Sequence, residues 1–335
     1  MADSLIVVAS SNGRVGIGEA LRVLKSGGSA LDAVEAGTRL VEDNPHDNSV
    51  GTGGLPNLLG EVELDASIMD GRTLAAGAIG SVRYYPNPVS IARRVMETMP
   101  HCFLVGTGAE RFAGQHGFQT ADMLTPETRQ RYQEWMAGKL DGVEAANYRR
   151  YMQSVRDLAA VAKQVTDPQR TGGTVNFLAR DREGNVASAV STSGWAWKFP
   201  GRLGDSPVIG AGNYCDNRYG AAACTGRGEM AIRCGTARSV VLYMKLGMSV
   251  AEALAEAQRD LWALEDAFYG NMHIVALDRD GNPAAASNSP ATYIYQRDDM
   301  AAYAEEPRTL IVSNDPQKQG GWSTVTAPKE QSDRQ

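Results

Sequence analysis

Near the middle of the 335-residue chain, Thr174 follows two glycines and opens an alternating run, Gly172-Gly173-Thr174-Val175-Asn176-Phe177-Leu178-Ala179. A threonine hydroxyl is a weak nucleophile until a base takes its proton. The four histidines, His46, His101, His116 and His273, are scattered, and none lies near Thr174 in sequence. The α-amine of Thr174 itself would serve if the Gly173–Thr174 bond were broken. Its ordinary pKa is about 7.7–8.0, so a useful fraction is neutral at cellular pH. Before the cut, the same hydroxyl can attack the Gly173 carbonyl to give an ester that water opens, and the two glycines free the backbone for that attack. On this reading the chain is an acyl-transfer enzyme cut into residues 1–173 and 174–335. Taken alone, Gly-Gly-Thr is more often an ordinary strand entry.

Three clusters follow in order: Ser191-Thr192-Ser193-Gly194, Gly201-Arg202-Leu203-Gly204-Asp205-Ser206-Pro207 and Ala223-Cys224-Thr225-Gly226-Arg227-Gly228-Glu229. Each has a plain structural reading. Thr192 would be a buried strand hydroxyl, Arg202 and Asp205 a surface ion pair of about 0–1 kcal/mol, and residues 225–228 a loop that cradles phosphate. Following Thr174 in this order, they outweigh those separate readings. Another glycine cluster, Gly13-Arg14-Val15-Gly16-Ile17-Gly18, sits between a strand and a helix as in nucleotide-binding folds. Its spacing is GxxGxG and not GxGxxG, and no tyrosine is followed four residues on by lysine. A turn that lets a helix pack closely on a strand is preferred, and a nicotinamide enzyme stays as a distant alternative.

The elements that must hold these residues alternate in type. Residues 4–10 read as a buried strand. Ile17 to Lys25 and Ala30 to Val41 read as helices, the second capped by Ser29. The loop Asn48 to Asn57 is dense in small residues and reads equally as turn chemistry or as an active-site wall. Glu61 to Gly71 alternates as a strand ending at an Asp-Gly hairpin turn, with its partner at Ala75 to Val82. Ser90 to Met99 and Ala109 to His116 read as helices. In residues 124–171, Leu124 to Tyr132 starts a polar helix and Arg149 to Arg170 carries many charges with weak apolar periodicity, so the segment reads as a solvated linker. Two similar segments, Leu178 to Ala189 and Val275 to Ala286, each read as a hairpin turning at Gly184 or Gly281. Between them, Glu229 to Lys245 and Val250 to Leu264 read as helices. Such grouping suggests antiparallel sheets covered by helices.

Composition sets the remaining bounds. With 43% hydrophobic and 21% charged residues a globular core is expected. A formal charge of −6 argues against a nucleic-acid partner. No stretch has the form of a secretory signal or the length of a membrane span. Cys102, Cys215, Cys224 and Cys234 lack metal-like spacing, so reduced thiols in a cytoplasmic protein are expected.

These motifs, in their order, resemble the glycosylasparaginase and plant-type asparaginase (isoaspartyl peptidase) family of N-terminal-nucleophile hydrolases. The Gly-Thr-Val start resembles the plant-type cleavage site, and Ser-Thr-Ser-Gly its following segment. The amino-terminal half adds Lys25-Ser-Gly-Gly-Ser-Ala-Leu-Asp-Ala-Val34, Ser49-Val-Gly-x-Gly-Gly and Leu59-Gly-Glu-x-x-Leu-Asp-Ala-x-Ile-Met-Asp-Gly71. The resemblance implies an α+β fold, an αββα four-layer sandwich, in which chains 1–173 (linker about 124–171) and 174–335 form one folded domain. It implies that Thr174 is nucleophile and base and that Thr192 orients it. Thr225 and the Gly226 amide would form the oxyanion hole. Arg202 would clamp the substrate α-carboxylate as a bidentate fork and Asp205 the α-ammonium. Leu203, Gly204, Arg227 and Gly228 would line the pocket. The reaction implied is hydrolysis of the β-aspartyl amide of an asparagine derivative, like an N4-(β-N-acetylglucosaminyl)-L-asparaginase. The alternatives are a plant-type isoaspartyl peptidase/L-asparaginase and an uncut, inactive binding homologue. No metal or organic cofactor is needed for catalysis, a structural sodium fits the family, and a homodimer of cut units is expected, with no membrane partner. Two places depart from glycosylasparaginases: Gly172-Gly173 replaces His-Asp before the nucleophile, and Ser11 and Asn12 stand where a substrate-contacting tryptophan is expected. Trp195 and Trp197 would be a substitute apolar wall or core.

Overall fold

The computed structural model describes residues 5–165, 173–266 and 268–318; Gly172 and the last part of the expected linker, residues 166–171, lie outside them. The chain enters through a fully buried strand, β1 (Ile6–Ser10), followed by helices α1 (Arg14–Lys25) and α2 (Ala30–Glu42). Ser29 caps α2 as expected: its hydroxyl accepts from the Asp32 amide at 3.1 Å, and Asp32 accepts in return from the Ser29 amide. The early glycine cluster serves packing. A Cβ on Gly16 would lie 2.1 Å from the Gly37 carbonyl oxygen, so the glycine lets α1 and α2 touch backbone to backbone.

Strands β2 (Leu64–Asp70) and β3 (Ala76–Val82) form the next hairpin. Its turn departs from the expected Asp-Gly geometry. The positive φ falls on Leu74, at 61°, while Gly71 is required because a Cβ there would meet Val186 at 2.7 Å. Helix α3 (Pro88–Thr98), strand β4 (Phe103–Val105) and helix α4 (Gly106–Gln115) complete this part.

The segment expected to be a solvated linker opens with the expected polar helix but is folded and docked well beyond it. It holds helices α5 (Pro126–Lys139), α6 (Tyr148–Ser154) and α7 (Leu158–Val165). Tyr132, Met136, Tyr148, Met152 and Val165 pack with Leu58 and Trp197 in one buried cluster. A few large apolar residues among many charges suffice to dock these helices, which a periodicity test misses.

Strands β5 (Val175–Arg180) and β6 (Val186–Thr192) form the first of the two similar hairpins, with Gly184 at φ 81°. Then come β7 (Asn213–Asp216), β8 (Gly220–Gly226), and helices α8 (Gly228–Cys234), α9 (Thr236–Lys245) and α10 (Val250–Asp260). The expected single helix 229–245 is split by Gly235, which takes φ 60°. The second hairpin is β9 (Met272–Asp278) with β10 (Pro283–Ser287), turning at Gly281. Last come β11 (Thr292–Arg297), β12 (Ala304–Pro307) and β13 (Thr309–Leu310).

The strands form an eight-stranded sheet ordered β12-β11-β1-β5-β6-β2-β3-β4 and a five-stranded sheet ordered β13-β10-β9-β8-β7. One apolar cluster joins the large sheet to α1–α4, a second joins the small sheet to α8–α10, and a third mixes residues of both sheets, among them Val8, Leu178, Val190, Ala223 and Val275. Both faces of the inner strands are thus covered, which is why β5 and β6 are buried along their whole length. Among the described residues, no helix is long and apolar enough to cross a membrane.

Candidate active site

Strand register brings the first two site residues together. Val175 on β5 faces Ser191 on β6, so one residue further the pairing sets Thr174 opposite Thr192. Their hydroxyls meet at 3.2 Å, both nine-tenths buried or more. The Thr174 hydroxyl donates to Thr192 Oγ1, and the Thr192 hydroxyl donates to the Gly173 carbonyl at 3.0 Å. The Gly194 amide adds a donor to Thr192 Oγ1 at 2.9 Å. This relay runs from the Thr174 hydroxyl to the carbonyl of the preceding residue, and it polarises that carbonyl.

The small-residue loop is a wall of this site. The Ser49 carbonyl accepts from the Ser193 amide at 2.7 Å, and the Ser49 side chain lies against Gly173, where a Cβ would come within 2.4 Å of its hydroxyl oxygen. Gly173 is therefore a steric requirement. Asn12, at the place expected for tryptophan, instead donates to Asp47 at 2.9 Å.

Thr225 and Gly226 arrive from the other sheet, at the end of β8. Gly226 has φ 116°, and a Cβ there would meet the Asn271 carbonyl oxygen at 2.2 Å, so only glycine fits. Thr174 and Gly226 line two spaces. One is a slot of about 10 Å³ shared with Thr192, Trp195, Arg202, Gly204 and Asp205. The other is a cavity of about 360 Å³ that also includes Thr225. A larger depression, about 670 Å³ beside Tyr84 and Arg149, touches none of these residues. Thr120 lines it, with no second hydroxyl of threonine or serine beside it.

Within the slot Arg202 is already engaged. Its Nε and Nη2 donate to Glu229 at 2.9–3.0 Å. Nη1 lies against Gly194 and Gly204 with no hydrogen bond to the described residues. Its guanidinium sits 4.5 Å from the centroid of the Trp195 ring, and that of Arg227 sits 4.4 Å from the same ring. Trp197 is fully buried in the cluster of α5 and α6. The two tryptophans therefore divide, one lining the slot and one in the core. Leu203, Arg227 and Gly228 do not line either space with Thr174. Leu203 packs toward Gly80, Arg227 backs Trp195 and Phe268, and Gly228 leaves room for the Asp205 carboxylate.

Asp205 is buried, and its Oδ2 has no hydrogen-bond partner among the described residues. Burial pushes its carboxyl up to about 7, against the pull of Arg202. The sign for stability follows. The folded state holds this proton more tightly than the unfolded state does, so the stability it contributes is present below the ordinary carboxylate value and is lost as pH rises through about 7. Asp205→Asn is expected to melt higher than the parent at about pH 8, with the difference shrinking toward about pH 4. Scanning fluorimetry across pH checks this; an Asn variant that melts lower than the parent at both ends would refute it.

Beneath the 194–205 loop lies a charged group that sequence reading passed over. Lys198 is 1% exposed; its Nζ donates to the Glu63 carbonyl at 3.1 Å and lies 3.9 Å from Asp65. Burial lowers the Lys198 ammonium and raises the Asp65 carboxyl, each opposed by the other's charge. Glu63 accepts the Gly201 amide with both oxygens, fixing the start of the segment that carries Arg202. Glu63 and Asp65, on the alternating strand, are both buried.

Comparison with known proteins agrees with this geometry. A family profile described as asparaginase matches residues 14–305. The chain is 41% identical over 239 residues to an N(4)-(β-N-acetylglucosaminyl)-L-asparaginase of Elizabethkingia miricola, covering 71% of this chain and 64% of the relative. It is 41% identical over 237 residues to an isoaspartyl peptidase/L-asparaginase of Rattus norvegicus, covering 70% and 65%. With a plant-type L-asparaginase of Pyrococcus furiosus it shares 36% identity over 282 residues, covering 83% and 87%. Against the first two the match spans just under two thirds of the relative's length. A profile running through most of the chain and relatives above the level of chance likeness settle the lineage: the chain belongs to the asparaginase family.

Proposed function

We propose that the chain is an N-terminal-threonine amidohydrolase that cleaves the β-aspartyl amide of asparagine derivatives after cutting itself between Gly173 and Thr174. The observation that carries this is the hydroxyl relay from Thr174 through Thr192 to the Gly173 carbonyl. Relatives named for β-aspartyl chemistry support the substrate side. The two sheets and their helical covers then form an αββα sandwich of the N-terminal-nucleophile type.

In the precursor, Thr174 Oγ1 attacks the Gly173 carbonyl carbon, the C–N bond breaks, and water opens the ester to leave a new α-amine. In the mature enzyme that amine takes the Thr174 hydroxyl proton as Oγ1 attacks the substrate side-chain carbonyl. The oxyanion that forms is met by the Thr225 hydroxyl and the Gly226 amide. The C–N bond breaks as the proton passes to the leaving amine, and a β-aspartyl ester remains. Water, deprotonated by the same amine, hydrolyses it. The slot is too small for an aspartyl group as it stands, so the substrate α-carboxylate displaces Glu229, one third exposed, from Arg202. Asp205 receives the α-ammonium.

Intact-mass analysis tests the cut, and hydrolysis of asparagine, a β-aspartyl dipeptide and an aspartylglucosamine tests the reaction. An intact chain that hydrolyses these substrates would overturn the nucleophile assignment. Thr225→Val is expected to lower turnover by about 10²–10³-fold, the usual effect of losing one oxyanion donor; a change below about tenfold would remove Thr225 from that role.

A further inference from the structure

The cavity of about 360 Å³ on the far side of Thr174 holds a charge that the proposed reaction does not use. Arg308 lines it and is 7% exposed. Its Nε donates to the Thr292 carbonyl and its Nη1 to the Ile274 carbonyl, each at 3.0 Å. These two bonds fix the plane of the guanidinium and leave Nη2 with no hydrogen bond to the described residues. No carboxylate pairs with Arg308 among the described residues, and none of the residues lining the cavity is acidic. A buried cation is costly unless it is matched by an anion. Two carbonyl dipoles offset part of that cost and carry no net negative charge. Burial lowers the guanidinium to about 10, and His273, which shares the cavity, is held neutral because burial and Arg308 lower it to about 4. The space is therefore cationic at neutral pH and unmatched.

Thr174 separates this cavity from the slot that holds Arg202 and Asp205. An amide attacked at Thr174 with its aspartyl part in the slot projects its amine part into the cavity. The geometry points to Arg308 as a specificity-determining residue that reads a carboxylate on the leaving amine, favouring an amino acid or peptide joined through its nitrogen to the β-carboxyl of aspartate. This rests on the β-aspartyl amide reading above and extends it to the leaving group. Arg308 sits at the β12–β13 corner, beyond residues 14–305 matched by the family profile.

The test compares two substrates that differ in one group: a β-aspartyl dipeptide with a free C-terminal carboxylate and the same compound with a C-terminal carboxamide. The parent enzyme is expected to prefer the acid by about 10–100-fold in kcat/KM, chiefly through KM, as for a hydrogen bond to a charged group. Arg308→Met keeps the apolar stem and removes the charge, and should bring the ratio close to one; Arg308→Lys should retain part of it. A merely structural Arg308 would lower both substrates alike and leave the ratio unchanged. A ratio near one in the parent, which needs no variant, overturns the inference while leaving the hydrolase reading intact. Failure to hydrolyse either compound or asparagine sinks both.

Discussion

A Thr174→Ala chain is expected to run as one species near 35.9 kDa on a denaturing gel, and the parent, cut as proposed, as two fragments of about half that size. Its turnover on any β-aspartyl amide should fall on the order of 10⁶-fold, the scale seen when a nucleophile is removed from an acyl-transfer enzyme. Two losses coincide at this residue. Alanine has no hydroxyl to attack the Gly173 carbonyl, so no free amine is generated. Without that amine the site has no base, because the ionisable groups of the slot, Arg202 and Asp205, are reserved for the substrate's own charges. His273 lies on the other side of Thr174, and Thr192 only relays a proton. Thr174→Ser keeps hydroxyl and amine and should be cut. An alanine variant cleaved at the same bond, or one retaining a per cent of parental turnover, would end the proposal.

How much of this was legible in the chain differs from part to part. Thr174 stood out because it follows two glycines at a strand entry and three ordered motifs come after it. The partner of Thr174 could be named only by resemblance, since the β5–β6 register that sets Thr192 opposite it is a tertiary fact. Arg202 and Asp205 were visible as opposite charges three residues apart. That Glu229 holds Arg202 was not, because the two residues end up together from different motifs, 27 residues apart in the chain. Glu63, Asp65 and Lys198 were passed over for a physical reason. Alternation along β2 says which residues share a face and cannot say whether that face meets water, and here Lys198 and the 194–205 loop cover it. Of the helices in residues 126–165 only the first was expected, and their docking was missed because their apolar residues are few and widely spaced, while their docking partner, Trp197, lies far along the chain.

Arg202→Ala should lower kcat/KM for aspartyl substrates on the order of 10³-fold, mostly by raising KM. The α-carboxylate loses its cation, and Arg227 cannot replace it. That guanidinium is stacked on Trp195 and Phe268 and already lies 3.6 Å from Glu229. Nor can Lys198, whose ammonium is held by the Glu63 carbonyl beneath the loop. A second effect compounds the first. Burial holds the Asp205 carboxyl near 7 only because Arg202 pulls it down, so removing the arginine raises it further and leaves Asp205 protonated at neutral pH. The α-ammonium then loses its partner too. The expected signature is a rise of kcat/KM with pH that moves upward in the variant, in addition to the lower plateau. Arg202→Lys keeps the charge and loses the planar fork. It should therefore show a smaller loss with its midpoint near the parent's. A structural defect in Arg202→Ala would depress the plateau without moving the midpoint, and an unchanged KM would remove Arg202 from substrate recognition altogether.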